Sequence, residues 1–335
     1  MKTAILAITT EARVLAEKLA SKLPECNVIP CRGSTAESIR KAWKSYDALI
    51  CIMASGIVVR AISRLVSDKK KDPPLIILDQ KGRFVIPLLS GHLGGANELA
   101  RKVAGITGGQ AVITTASDVS GHTPLDLWIK ELGLVIKNPE LLPRVMTRLV
   151  DGGSLSVYSD CGLPPLPHDL SEASSMARAD AIITMRTPGP KDVCEGKLVL
   201  NPPLLVAGIG CNRGTPCEKI FAAVEKTCSL ASLARASICR VASIDLKKDE
   251  KGLREFARMA GAELFFFSAE QLNEVDDIKQ SEIVKRATGA KGVCEPAAIL
   301  ASGNGPLLVE KHKWKDVTTA IAQVSWPWWE QAQAP

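Results

Sequence analysis

Short apolar runs alternate with amphipathic stretches through the first 113 residues and again after Pro203, and this alternation restricts the fold more than any other feature. In the first stretch the runs are residues 3–8, 47–52, 75–78, 84–86 and 111–113, with helices expected from about Glu11, from about Ser55 and after Gly95. The helix assignment at 55–66 rests on period: Ile57, Val58, Ala61, Ile62 and Leu65 recur at helical spacing and leave Arg60 and Arg64 on the other face. After Pro203 strands are expected at 204–209, 238–244, 263–267 and in a final pair around 307–310 and 317–324. Helices are expected over 215–227, over 250–260 and before Gly289. Runs too short for helices, separated by helical patterns, predict helices layered on parallel sheets. Residues 134–203 differ: they carry Pro139, Pro143, the Pro164-Pro-Leu-Pro167 cluster and Pro202-Pro203, and short strands are expected only at 155–158 and 181–185. The expected fold is α/β: two layered, Rossmann-like domains with mainly parallel sheets (residues 1–130 and 204–325), joined by a smaller loop-rich middle unit (131–203). Residues 326–335 form a tail whose Trp326-Pro-Trp-Trp string reads either as a cap on an apolar groove or partner surface, or as a packed or frayed end.

Composition narrows the function. The 335 residues, 46% hydrophobic and 23% charged, exclude a disordered or coiled-coil protein. No apolar run approaches the roughly 20 residues that cross a bilayer. The opening run reaches Glu11 and Arg13 without a small-residue cleavage site, so it reads as a strand entering a helix and the protein as cytoplasmic. Ten cysteines contain no CxxC pair, which is poor metal-ligand spacing; they read as reduced, mostly buried thiols, and no protein metal site is expected. The net charge of +6 comes from residues 1–128, with 17 Lys+Arg against 11 Asp+Glu, while 129–203 hold 8 against 9 and 204–335 hold 17 against 16. That surplus reflects either an anionic partner or a surface bias. Nucleic acid is disfavoured: there is no dense basic helix and no zinc-finger spacing.

The densest chemistry lies in Pro87-Leu-Leu-Ser-Gly-His-Leu-Gly-Gly-Ala-Asn97, a strand end, a histidine, paired glycines and a helix start. Backbone N–H groups at such a turn suit a phosphate, a carboxylate or a developing oxyanion, and His92 suits acid–base work near neutral pH. After the next strand, Thr114-Thr-Ala-Ser-Asp118 and Gly121-His122 bring hydroxyls, a carboxylate and a second imidazole. In parallel sheets such loops share one edge, so His92, Asp118 and His122 are expected to converge as the catalytic group, although the same residues also serve as ordinary turn and cap residues. Arg60, one turn into its helix, and Arg101 suit substrate carboxylates, with Gly94, Gly95 and Asn97 completing the binding loop; Arg60 can equally be a solvated surface residue. Gly208-Ile-Gly-Cys-Asn-Arg-Gly214 invites a dinucleotide reading, but its spacing is GxGxxxG and Asp245 lies too far beyond it, so it reads as a carboxylate-binding loop or a tight structural turn. Lys247 and Glu295, in two further polar loops, are candidate substrate contacts, Glu295 also fitting a plain helix start.

At these residues the chain resembles the CbiG family, the cobalt-precorrin-5A hydrolases of anaerobic cobalamin biosynthesis. The matching strings are Gly56-Ile-Val-Val-Arg60, Lys71-Asp-Pro-Pro, Leu78-Asp-Gln, Leu88-Leu-Ser-Gly-His-Leu-Gly-Gly-Ala-Asn97 and Thr114-Thr-Ala-Ser-Asp118 in the N-terminal part. Val206-Ala-Gly-Ile-Gly-Cys-Asn-Arg213, Asp245-Leu-Lys-Lys-Asp-Glu250, Val293-Cys-Glu-Pro-Ala-Ala298 and Leu308-Val-Glu-Lys311 match the C-terminal part, which is also similar to the stand-alone CobE proteins. The resemblance implies a cytoplasmic enzyme that opens the δ-lactone of a cobalt macrocycle and releases a two-carbon fragment as acetaldehyde, giving cobalt-precorrin-5B. Its substrate is a polycarboxylate cobalt-tetrapyrrole that carries the cobalt itself, so no cofactor is expected, and neighbouring enzymes of the pathway are the expected partners. On local chemistry, water activated by His92 or His122 attacks the lactone carbonyl, donors around Gly94 and Gly95 hold the oxyanion, and Asp118 orients an imidazole. The competing expectation is a non-catalytic carrier that binds the intermediate and hands it on; a nucleotide-dependent oxidoreductase is the third.

Overall fold

A computed structural model describes residues 1–31, 33–68, 71–188 and 196–324; the tail expected at 326–335 lies outside them. The chain divides into two units, Met1–Leu127 and Trp128–Pro335.

In the first unit the chain runs β1 (Thr3–Ala7), α1 (Thr10–Ala20), β2 (Cys26–Pro30), α2 (Thr35–Ser45), β3 (Ala48–Ile52), α3 (Ser55–Ile62), β4 (Leu75–Leu78), β5 (Phe84–Leu89), α4 (Ala96–Thr107), β6 (Gln110–Ala111) and α5 (Ala116–Ser120). The six strands form one sheet in the order β2-β1-β3-β4-β5-β6. Every residue of β1, β3 and β4 is buried, as expected of parallel strands covered on both faces. Alternate residues serve two cores: Ile5, Ile50 and Ile76 pack with Leu19 and Val103 on one side, and Leu6, Leu49 and Ile77 pack with Ile39 and Val58 on the other. Helix starts follow local chemistry, since Thr9 accepts the Ala12 N–H and Ser34 accepts the Glu37 N–H.

One pairing in this sheet is reversed. The β1–β2, β1–β3, β3–β4 and β5–β6 pairs are parallel, but β4 and β5 are antiparallel. The turn between them forces this: the Asp79 carboxylate accepts the N–H groups of Lys81 (2.9 Å) and Phe84 (2.8 Å), and Gly82 takes a φ of +67°. Leu89, the last residue of β5, therefore pairs with Leu75, the first of β4. The loops that leave β5 and β6 emerge at the edge where β1, β3 and β4 begin.

The chain passes through α6 (Leu125–Glu131) into the second unit, which holds two further sheets. The first contains β7 (Val135–Ile136), β8 (Leu155–Ser159), β9 (Leu170–Glu172), β10 (Ala181–Ile183) and β11 (Leu198–Asn201), in the order β7-β11-β10-β8-β9, with α7 (Leu142–Gly152) between β7 and β8. The region read as loop-rich from its prolines thus forms a five-stranded sheet of short strands. Its buried Lys197 ammonium donates to the carbonyls of Met176, Ala177 and Ala179, satisfying the charge with backbone oxygens.

The last sheet contains β12 (Leu205–Cys211), β13 (Ile238–Ile244), β14 (Glu263–Phe267), β15 (Leu307–Trp314) and β16 (Val317–Gln323), ordered β14-β13-β12-β16-β15. Its helices are α8 (Cys217–Leu230), α9 (Lys251–Ala260), α10 (Ala269–Asn273), α11 (Glu282–Thr288) and α12 (Cys294–Ala301). The expectation of mainly parallel sheets needs correction here. The β12–β13 and β13–β14 pairs are parallel, but β12–β16 and β15–β16 are antiparallel, because the two-residue Lys315-Asp316 turn, with Asp316 at a φ of 68°, can only make a hairpin. The protein is α/β with three mixed sheets. Among the described residues no helix is long and apolar enough to cross a membrane.

Candidate active site

The loops after β5 and β6 leave the same edge and meet at His92. Its Nε2 lies 2.7 Å from Asp118 Oδ2 and 3.3 Å from Ser117 Oγ, and its Nδ1 lies 3.5 Å from Asp126 Oδ1. The imidazole is therefore held between two carboxylates, with its side chain only 9% exposed. A neutral imidazole donates from one nitrogen at a time, whereas the imidazolium can satisfy both carboxylates. The two acids differ in setting: the Asp126 side chain is 6% exposed, the Asp118 side chain 16%. Asp118 also accepts from Arg101, which is half exposed, and from Asn97 Nδ2 at 2.9 Å. Burial works against the Asp118 carboxylate, but hydrogen bonds from His92, Arg101 and Thr115 outweigh it and hold its pKa below the ordinary carboxylate range.

A tightly folded loop holds His92. The N–H groups of Gly95, Ala96 and Asn97 donate to the carbonyls of His92 (2.9 Å), Ser90 (3.1 Å) and Gly91 (3.0 Å). Ser90 sits at a φ of +57°, a conformation that disfavours a side chain, and its hydroxyl donates to the Asp72 carbonyl at 2.8 Å. The buried Asp72 carboxylate in turn accepts the N–H groups of Ser67 and Asp68. The Lys71-Asp-Pro-Pro string thus anchors the histidine loop from below.

This geometry revises several expected roles. Asp118 and His92 converge as expected, but Asp118 occupies the Nε2 side and the ring's other nitrogen faces Asp126, so the residue backing the imidazole is Asp126. Sequence reasoning missed Asp126; its signal is a lone carboxylate beside Leu125, Trp128 and Ile129, all buried. Asn97, expected to touch substrate, is buried and commits its amide to Thr115 (2.8 Å) and Asp118, so it positions Asp118 instead. The Gly95 N–H, expected at an oxyanion, is taken by the His92 carbonyl. Gly94 is required for space: a Cβ there would lie 2.4 Å from Ser90 Cβ. The His122 backbone N–H closes onto Ser117 (2.9 Å), and the cluster is built around His92 rather than around this half-buried second histidine. Arg60 lies elsewhere. Helix α3 leaves the carboxyl end of β3, and the Arg60 guanidinium folds back over Gly56 at its start, placing it at the sheet edge opposite His92.

In the second unit, Lys247 lines a cavity of about 620 Å³ over the carboxyl ends of β12 and β13, with Arg213, Lys311, Lys313 and Trp314. Lys247 pairs with Glu250 at 3.3 Å, and Arg213 with Asp249 at 3.0 Å. Glu295 is not among the residues lining this cavity: its carboxylate accepts the Lys311 backbone N–H at 3.0 Å and fastens β15 to the start of α12. The glycine-rich string after β12 is explained by packing, since a Cβ on Gly208 would lie 1.8 Å from the Cys294 carbonyl of α12 and one on Gly210 2.6 Å from Thr318 Oγ1. Among the described residues no group of three or more His, Cys, Asp or Glu is arranged to hold a metal ion.

Residues 37–118, which contain His92, Asn97, Arg101 and Asp118, match the family model described as Cobalamin synthesis G N-terminal; residues 205–322 match Cobalamin synthesis G C-terminus. The chain is 36% identical to the cobalt-precorrin-5A hydrolase of Priestia megaterium, over 90% of this chain and 84% of that protein. It is 33% identical to the cobalt-precorrin-5A hydrolase of Salmonella typhimurium, over 95% of this chain and 96% of that one. The C-terminal region is 34% identical over 121 residues to protein CobE of Sinorhizobium sp., covering 35% of this chain and 79% of CobE. With both parts of the family pattern matched in order and two full-length relatives above 30% identity, the chain belongs to the CbiG family of cobalt-precorrin-5A hydrolases.

Proposed function

We propose that this chain acts as a cobalt-precorrin-5A hydrolase and carries out the hydrolysis at the His92 cluster. The observation that carries this assignment of the chemistry is the imidazole held between a buried carboxylate, Asp126, and a more accessible one, Asp118, at the end of the glycine-rich loop. Asp126 Oδ1, 3.5 Å from Nδ1, favours the ring proton on that nitrogen, while Nε2 faces Asp118 and Ser117. A substrate carboxylate that engages Arg101 loosens its hold on Asp118; as Asp118 moves off Nε2 the neutral ring keeps its one proton on Nδ1, and a water takes the place of the Asp118 carboxylate at the free Nε2 lone pair. The water oxygen attacks the lactone carbonyl as its proton passes to Nε2. When the tetrahedral intermediate collapses, the ring C–O bond breaks and the departing alkoxide takes that proton from the imidazolium. The freed hydroxyl stands on the bridging fragment: as its O–H proton is lost to solvent and the C=O forms, the carbon–carbon bond to the macrocycle breaks with its electron pair passing into the conjugated ring, and the fragment leaves as acetaldehyde.

The family models at 37–118 and 205–322 support reading residues 1–130 and 204–325 as the family's two domains, with 131–203 between them. The β2-β1-β3-β4 order, with helices between parallel strands, supports a Rossmann-like first domain. Nine free cysteines among the described residues fit a cytoplasmic setting. The test is anaerobic incubation of the protein with cobalt-precorrin-5A, with acetaldehyde followed against a no-enzyme blank. Enzyme-dependent release is expected; release no faster than the blank, with tight pigment binding, would favour the carrier.

A further inference from the structure

Hydrolysis at the His92 cluster would build negative charge on the carbonyl oxygen under attack, and such an oxygen needs a hydrogen-bond donor already in place. The N–H groups of Gly95, Ala96 and Asn97 are not free for this, because the carbonyls of His92, Ser90 and Gly91 take them. Most side chains around the imidazole are committed as well. Asn97 Nδ2 donates to Thr115 Oγ1 and to Asp118, and Thr115 and Arg101 in turn help to hold the Asp118 carboxylate. The Ser117 hydroxyl differs from these. Ser117 is only 7% exposed, its Oγ lies 3.3 Å from His92 Nε2, and that hydroxyl has no other partner among the described residues.

We infer that Ser117 is a further catalytic residue of this site, its Oγ–H donating to the substrate's carbonyl oxygen as that oxygen becomes an oxyanion. The inference rests on the hydrolase reading and on the water that takes the place of Asp118 at Nε2. Distance separates the two positions. Asp118 Oδ2 sits 2.7 Å from Nε2, where the water is to stand, whereas Ser117 Oγ at 3.3 Å is at the weak end of hydrogen bonding. The hydroxyl therefore flanks the attacking water instead of occupying its place. A neutral imidazole offers one lone pair, so once the water donates to Nε2 the serine proton is left for another acceptor, and the oxygen of the carbonyl under attack is the acceptor that gains charge. Burial strengthens that donor, since little bulk water competes for it. The step balances with Ser117 unchanged: the water oxygen bonds to the carbonyl carbon, the C=O π pair moves onto the carbonyl oxygen, and the water proton goes to Nε2. Ser117 keeps its own proton and releases the oxygen when the C=O re-forms and the ring C–O bond breaks.

The rival role for a serine beside a carboxylate-backed imidazole is that of nucleophile, with a covalent ester on Oγ. The test uses the full chain under anaerobic conditions, with lactone opening in cobalt-precorrin-5A timed in a single turnover by mass spectrometry of the pigment for the wild type and Ser117→Ala. Pigment affinity, by visible absorption, and melting temperature are measured on both proteins. Ser117→Ala should open the lactone at least about tenfold more slowly, with affinity, melting temperature and the midpoint of the pH–rate profile kept, and no pigment ester should be found on Ser117 in quenched wild type. An undiminished rate overturns the inference. So does a rate lost together with affinity and melting temperature, which would make Ser117 structural, and so does a Ser117 ester, which would make it the nucleophile. The two readings fail distinguishably: lactone opening that proceeds equally in the wild type and Ser117→Ala leaves the hydrolase standing and removes Ser117 from the chemistry, whereas a wild type that opens no lactone removes both.

Discussion

At the scale of single residues, the proposed hydrolysis turns on which carboxylate faces which nitrogen of His92. In the proposed mechanism Asp126, its side chain 6% exposed, acts through the ring as a positioning residue. Replacing it by Asn should lower kcat about tenfold or more with little change in KM, because it removes the negative charge that faces Nδ1 and leaves the exposed contacts in place; steady-state acetaldehyde kinetics check this. Asp118 makes a prediction about pH. Its pKa in the folded protein lies below the ordinary value of 3.8, so its charge contributes stability that is present above that pH and is lost as the pH falls through the depressed folded value. The wild type should therefore melt at a higher temperature than Asp118→Asn at pH 6, and the difference should shrink below about pH 4; thermal melts across that range decide it. Both carboxylates are readable as residue types in the sequence, yet only Asp118 sits in a recognisable string. Asp126 becomes visible only when α6 is folded and its apolar neighbours are seen to be buried.

Among the elements, the decisive ones are the β4–β5 hairpin and the loop that follows β5. Most strands were legible because their runs are apolar throughout: residues 75–78, 238–244 and 263–267 are read at their observed limits. Strand β2 escapes the reading because it is a half-buried edge ending in Pro30, and of the middle sheet only β8 and β10 are legible, because β7, β9 and β11 are short and set among prolines. The costlier error was topological. Asp79 to Gly82 is a readable turn signal between two apolar runs, and taking it as a hairpin would have placed Arg60 and His92 at opposite sheet edges from sequence alone. The loop glycines can be tested separately. Gly94→Ala should disturb Ser90 and His92 and reduce both melting temperature and activity, because its new Cβ meets Ser90 Cβ at 2.4 Å and Ser90 O at 2.8 Å. Gly95→Ala meets nothing within 4 Å, so its loss comes from the +87° φ alone, about 1–2 kcal/mol of stability with activity largely kept. In the second unit, Gly208→Ala drives a methyl into the Cys294 carbonyl, 1.8 Å away, where α12 packs on β12; chemical denaturation should show a loss of about 1–3 kcal/mol or more.

For the whole molecule, the family was legible because its strings are long and occur in order, while the division of labour among its parts was not. The basic surplus of residues 1–128 reads as either an anionic partner or a surface bias, while a cavity lined by Arg213, Lys247, Lys311 and Lys313 belongs to the second unit, where the overall charge nearly cancels. Net charge per segment hides such a site because Asp249, Glu250 and Asp316 are spent on Arg213, Lys247 and Lys219, leaving Lys311 and Lys313 open. The proposed hydrolysis lies with the His92 cluster of the first unit. It is tested most directly by a single-turnover experiment in which enzyme is saturated with cobalt-precorrin-5A under anaerobic conditions and acetaldehyde is timed for the wild type and His92→Ala. The prediction is a rate at least about tenfold lower in the variant with pigment affinity retained; an undiminished rate would show that the His92 cluster does not carry out the hydrolysis.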